Sequence, residues 1–194
     1  MSKWSVGLIE CCSNGEREPA GGVLYKGMPM ETKFNVFEVF QIAEKIEHDT
    51  AKFYLKMAQV FDDEEKRDIL YKLANWRAKH EKALAGRRKL FSANTGTFGT
   101  FDPNNYVLSN PHVMAGLAAF ATKPDERRQM TGKEGKKDII KDAIRRSKQA
   151  VVFYRGLKDF ARDPASEDTI DQIIKEESKH VIALTESLEK GTLD

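Results

Sequence analysis

Apolar residues recur at helical spacing over four long stretches of the chain, and each stripe is broken by polar residues. From Asn35 to Phe61 the inward positions read Val36, Val39, Phe40, Ala43, Thr50, Ala51, Tyr54, Met57, Ala58 and Phe61, a period that predicts an amphipathic helix. The gap in that stripe is Glu47. A second stripe, Leu70, Leu73, Leu84 and Phe91, carries Arg77 and His80 where apolar residues are expected, so both are predicted to point inward. The third runs from about Lys136 to Ala161 through Ile140, Ala143, Ile144, Ala150, Val151, Tyr154 and Leu157, with Ser147 in its gap. In the fourth, Ile170, Ile173, Ile174, Val181, Leu184 and Leu188 are interrupted by Glu177 and His180.

Start and stop signals agree with these stripes. Asn35 with Glu38, and Asp62 with Glu65, have capping-box spacing, so helices are expected to begin near residue 36 and just after 62. Gly132 and Gly135 precede the third helix, Asp163 and Pro164 precede the fourth, and Gly191 ends it. Each helix has about 25 residues, or close to 40 Å at 1.5 Å per residue. Short turns join the first helix to the second and the third to the fourth. The long connection over 92–135 is rich in Gly, Asn and Pro and must cross along the bundle. Within it, Asn110 and Pro111 read as the cap and first residue of a short helix through Phe120, with Leu117 and Phe120 inward. The expected fold is an all-α four-helix bundle over residues 35–194, with a long crossover between helices 2 and 3, preceded by an irregular arm over 1–34.

Shifting the chain by one hundred residues aligns EHDTAKFY (47–54) with SKQAVVFY (147–154), and NWRAKHEKAL (75–84) with KEESKHVIAL (175–184). Two helix pairs therefore share one template. The first helix of each pair offers an inward polar group seven residues before a tyrosine; the second offers an inward pair at i and i+3. Residues three apart on a helix face the same way, so a carboxylate and an imidazole at that spacing can reach one ion. A carboxylate on each first helix and Glu-x-x-His on each second is the ligand set of a bundle that holds two metal ions.

On these motifs the chain resembles the rubrerythrin-like branch of the ferritin-like superfamily over about residues 35–190. The resemblance rests on E-x-x-x-x-x-F-Y at Glu47, K-H-x-x-A-L at His80 and His180, E-x-x-H at Glu177, and the long crossover. It implies a carboxylate-bridged di-iron centre used in peroxide or oxygen chemistry, hence an oxidoreductase fed by an electron donor that the sequence does not name. The two Cys-x-x-Cys knuckles of the family's rubredoxin-like part are absent. Carried over residue by residue, the metal ligands are Glu47, His80, Glu177 and His180. The family's second-helix glutamate falls on Arg77, and its third-helix glutamate on Ser147.

Those two substitutions change the electrostatics. Two divalent ions bring at least four positive charges, against which only Glu47 and Glu177 remain, while Arg77 adds a cation of its own. The guanidinium fork suits direct binding to carboxylates. The expectation is therefore at most one ion per chain, iron or manganese or else zinc, held by Glu47, His80 and Glu177 with Arg77 swung toward solvent and His180 short of partners, and with Glu44 and Glu176 as spare carboxylates able to lean in. The alternative is a metal-free, non-catalytic bundle acting as a binding or structural partner, in which an Arg77 salt bridge to Glu47, Glu177 or both replaces the metals.

Bulk properties narrow the partners. With 32 Lys and Arg against 30 Asp and Glu the net charge is +2, which provides no field to recruit nucleic acid or anionic lipid. The basic run KKDIIKDAIRRSK has interleaved acids and reads as a solvated face. No stretch reaches the roughly 20 apolar residues that span a bilayer, and none resembles a signal-peptide core, so a cytoplasmic location is expected. Cys11 and Cys12 are the only cysteines, and an adjacent pair reads as two reduced thiols. His48 and His112 lie off the stripes and are expected at the surface. Tyr54 and Tyr154 match inward tyrosines of the family and serve equally well as core residues. A homodimer is the expected assembly.

Overall fold

Asn35 opens the first helix: its side chain accepts from the Glu38 amide at 2.9 Å and the Glu38 carboxylate accepts from the Asn35 amide at 2.9 Å, the capping box read from the sequence. The computed structural model describes residues 33–99 and 130–191, and the helices of that part are α1 (Val36–Ala58), α2 (Glu64–Thr95), α3 (Lys136–Leu157) and α4 (Pro164–Lys190). The arm through residue 32, with Cys11 and Cys12, lies outside the described residues, as do the expected short helix over 110–120 and His112.

Several boundaries differ from expectation. The cap of α2 is Asp63, whose side chain accepts from the Lys66 amide at 3.0 Å; the helix starts one residue later than the Asp62–Glu65 pairing requires. It then runs a full turn past Phe91, because no breaker intervenes before Gly96, which takes the left-handed conformation at φ 65°. The third helix ends at Leu157 and tightens into a 3₁₀ turn over Lys158–Phe160. That turn aligns the chain for a two-way backbone pairing, Phe34 N to Phe160 O at 2.7 Å and Arg162 N to Phe34 O at 2.9 Å. Asp163 caps α4 on the Ser166 amide at 2.8 Å, Pro164 fills the first turn, and Gly191 ends the helix at φ 76°.

The described residues form the expected all-α four-helix bundle, and its core falls into two apolar clusters. One takes Val39, Ile42 and Ala43 near the start of α1, Leu84 late in α2, Phe153 and Leu157 at the end of α3, and Ile170 and Ile173 early in α4. The other takes Met57 at the end of α1 and Phe61 in the turn after it, Leu70 and Leu73 early in α2, Ile139 and Ile140 early in α3, and Leu184 late in α4. Hence α1 and α4 run one way, α2 and α3 the other. The segment joining α2 to α3 must therefore travel the whole bundle length, about 33 Å for a 22-residue helix. Thr50 and Val151, at the stripe edges, are only half-buried. No helix among the described residues is long and apolar enough to cross a membrane.

Candidate functional site

Between the two apolar clusters lies a polar layer to which every helix contributes. Glu47 comes from α1, Arg77 and His80 from α2, Ser147 from α3, and Glu177 and His180 from α4. The mid-helix gaps in the four stripes coincide because the two helix pairs share one register. Arg77, Glu47 and Glu177 are no more than 2% exposed, and Ser147 is fully buried.

Arg77 is the hub of the layer. Its Nη1 donates to Glu47 Oε1 and Oε2 at 3.1 and 3.2 Å and to Glu177 Oε1 at 2.8 Å, while Nη2 donates to Ser147 Oγ at 2.5 Å. One guanidinium thus reaches all three other helices. Burial alone would lower the Arg77 pKa, but the Glu177 and Glu47 carboxylates outweigh it and hold the pKa above its ordinary value. Burial likewise opposes ionisation of Glu177, yet the Arg77 charge and the His180 hydrogen bond prevail and hold its carboxyl down at about 2. Both groups are therefore charged at neutral pH.

The two histidines occupy one side of this network. His180 Nδ1 lies 3.2 Å from Glu177 Oε1, and His80 Nδ1 lies 3.6 Å from Glu47 Oε1, an ion-pair separation rather than a close hydrogen bond. The Glu47 contact raises the His80 pKa above its usual value, against the effect of burial. The imidazoles meet edge to face with centroids 4.3 Å apart. His80 is the open edge of the site, its side chain 21% exposed, against 10% for His180.

Trp76 is the participant that sequence reasoning missed. Its ring lies 3.7 Å from that of His180, and the Arg77 guanidinium sits 5.4 Å from its centroid. The one available signal was its place between two inward positions, Leu73 and Arg77, on α2. The spare carboxylates turn away from the layer instead of leaning in. Glu44 pairs with Arg88 at 2.5 and 3.0 Å, and Glu176 with Arg87 at 2.6 and 3.1 Å, because these arginines one to three turns along offer paired donors nearer the surface. His48 is at the surface and meets Glu81 at 3.2 Å.

Donor atoms of His80, Glu177 and His180 all lie within 4.8 Å of one another, close enough to converge on one ion. Glu47 stands beside this group but is not part of it, so His180 takes the place expected for Glu47: Arg77 stays buried instead of swinging to solvent, and it holds Glu47. Three buried oxygens of the region, Glu177 Oε2, Tyr54 OH and Tyr154 OH, have no hydrogen-bond partner. Burial pushes the Tyr54 pKa up to about 12 and raises that of Tyr154 well above its ordinary value, so both phenols keep their protons.

No family model matches the sequence, and no curated protein matches it. Among solved structures the chain is similar to a protein described as a ferritin-like diiron-carboxylate protein from Thermotoga maritima, at 18% identity over 83% of this chain and 99% of that one, with a TM-score of 0.43. It is also similar to a hypothetical protein from Pyrococcus furiosus, at 20% identity over 87% of this chain and all of that one, with a TM-score of 0.42.

Proposed function

We propose that the chain is a ferritin-like, rubrerythrin-related protein of iron or redox type, whose contracted centre takes one iron or manganese ion at His80, Glu177 and His180. The supporting observation is Glu177, a buried carboxylate whose Oε2 has no partner and which has an oxygen within 4.8 Å of donor atoms of both His80 and His180. Two histidines and one carboxylate with open positions suit a redox-active divalent metal. The paired metals of the related bundles do not fit these residues. Arg77 Nη1 lies within 3.2 Å of carboxylate oxygens from both Glu47 and Glu177, and Ser147 replaces a further acid. Two carboxylates and one guanidinium leave a single net negative charge, enough to favour one divalent cation and too little for two.

A bound iron or manganese ion supplies electron exchange with peroxide or oxygen. The chain's own residues do the rest. Arg77 fixes the carboxylates, the apolar clusters exclude water along the bundle axis, and the exposed edge of His80 admits a small oxidant. Elemental analysis of protein grown in iron- and manganese-supplemented medium tests the reading. About one ion per chain is expected, and removal of that ion is expected to abolish peroxide consumption driven by an added chemical reductant.

A second reading is favoured by the reach of the Arg77 network, whose hydrogen bonds join partners on all three other helices. There the guanidinium stands in for the metals permanently and the bundle is a non-catalytic partner protein. Absence of metal from the purified protein, with no uptake on titration, selects this reading over the first.

A further inference from the structure

The layer contains two acidic side chains of equal charge and burial, yet they are placed differently. Both Glu47 oxygens are engaged by Arg77 Nη1, at 3.1 and 3.2 Å, whereas Glu177 gives Arg77 only Oε1 and keeps Oε2 free. Glu47 thus has one acceptor position on each oxygen taken by the guanidinium, while Glu177 keeps a whole oxygen uncommitted. Independently, the group of donor atoms that lie within 4.8 Å of one another includes Glu177 and does not include Glu47. Ser147, on the remaining helix, accepts from Arg77 Nη2 and locks the fork in place.

Resting on the single-ion reading above, we propose that the centre is a hybrid of one metal and one guanidinium. His80, His180 and Glu177 Oε2 bind the ion, Glu47 serves as the counterion of Arg77 and not as a ligand, and Arg77 with Ser147 sets the count at one. Arg77 is thus a positioning residue: it occupies the middle of the layer as a fixed cation and aims Glu177 by one oxygen. The ion then lies on the histidine side, against Trp76, whose ring is 3.7 Å from that of His180. The recognised ligand is a divalent transition metal ion, for which paired imidazoles are better donors than they are for magnesium or calcium.

Trp76 supplies a local readout, because a paramagnetic ion held beside His180 quenches its emission. The chain's other tryptophan is Trp4, so the measurement uses the full chain carrying Trp4→Phe. Cobalt(II) is titrated into the apo-protein, with stoichiometry read from ligand-field absorption and location from Trp76 quenching. One ion per chain with quenched emission is expected. Glu47→Gln should keep one ion, with affinity lowered no more than about tenfold by the lost charge, whereas Glu177→Gln should lose at least about a hundredfold. Arg77→Glu with Ser147→Glu should raise the count to two.

Failure to bind any ion in the parent protein removes the single-ion function itself. One ion in the parent that is lost in a folded Glu47→Gln variant leaves that function standing and overturns the hybrid centre. Two ions in the parent, or one in the folded double variant, overturn it equally. If the double variant does not fold, the Glu47→Gln and Glu177→Gln comparison decides.

Discussion

Replacing Arg77 with methionine removes the guanidinium while keeping an unbranched side chain, so Glu47 and Glu177 lose a shared cation at 2% and 1% exposure. Removing one partner of a buried ion pair costs about 3–5 kcal/mol. The direction agrees: the Arg77 charge, helped by the His180 hydrogen bond, outweighs burial and holds the Glu177 carboxyl at about 2 against an ordinary 4.5. In a domain of this size each kcal/mol moves Tm by about 2–4 °C, so a fall of roughly 6–20 °C is expected. The sign of the pH dependence is equally specific. In the parent the folded pKa of Glu177 is depressed, so its contribution is complete above about pH 4.5 and is lost as pH falls toward 2. In the variant, burial without a cation raises the folded pKa above the unfolded one, and the penalty shrinks as protonation sets in below it. The gap between the two proteins therefore narrows on going from about pH 7 to about pH 5. Urea unfolding followed by far-ultraviolet circular dichroism, with chelator present throughout, measures it. A loss under about 1 kcal/mol at neutral pH, or a gap that does not change with pH, refutes the charge argument.

Ser147→Ala deprives Arg77 Nη2 of its acceptor in a fully buried position, and a loss of about 1–3 kcal/mol is expected in the same unfolding assay. Gly132→Ala should cost clearly more than Gly191→Ala in thermal melts, although both positions have positive φ. A Cβ at 132 would meet the Val60 carbonyl oxygen at 2.5 Å, whereas one at 191 meets nothing within 4 Å and costs about 1 kcal/mol.

The four stripes were legible because each helix buries a single face, and the caps at Asn35 and Asp163 were legible because their side chains act within three residues. That Glu47, Arg77, His80, Glu177 and His180 share one layer followed from the hundred-residue repeat, which fixes equal depth in both helix pairs. What the repeat does not fix is how far each helix is rotated about its own axis. That rotation leaves His80 partly open and turns Trp76 onto His180. Glu44 and Glu176 show the same limit: their spacing allowed them to lean inward, and competition from Arg88 and Arg87 for their oxygens takes them outward.

Because each apolar cluster takes side chains from all four helices, neither hairpin owns a complete interior. Docking one hairpin onto the other is an association made intramolecular by the chain that joins α2 to α3. Greasy flanks alone would tolerate sliding by a helical turn of about 5.4 Å. The guanidinium of one hairpin, seated on Glu177 and Ser147 of the other, does not: such a slip would strand it among aliphatic side chains at a cost of several kcal/mol. The charged layer is thus the key that lets the halves mate at a single depth.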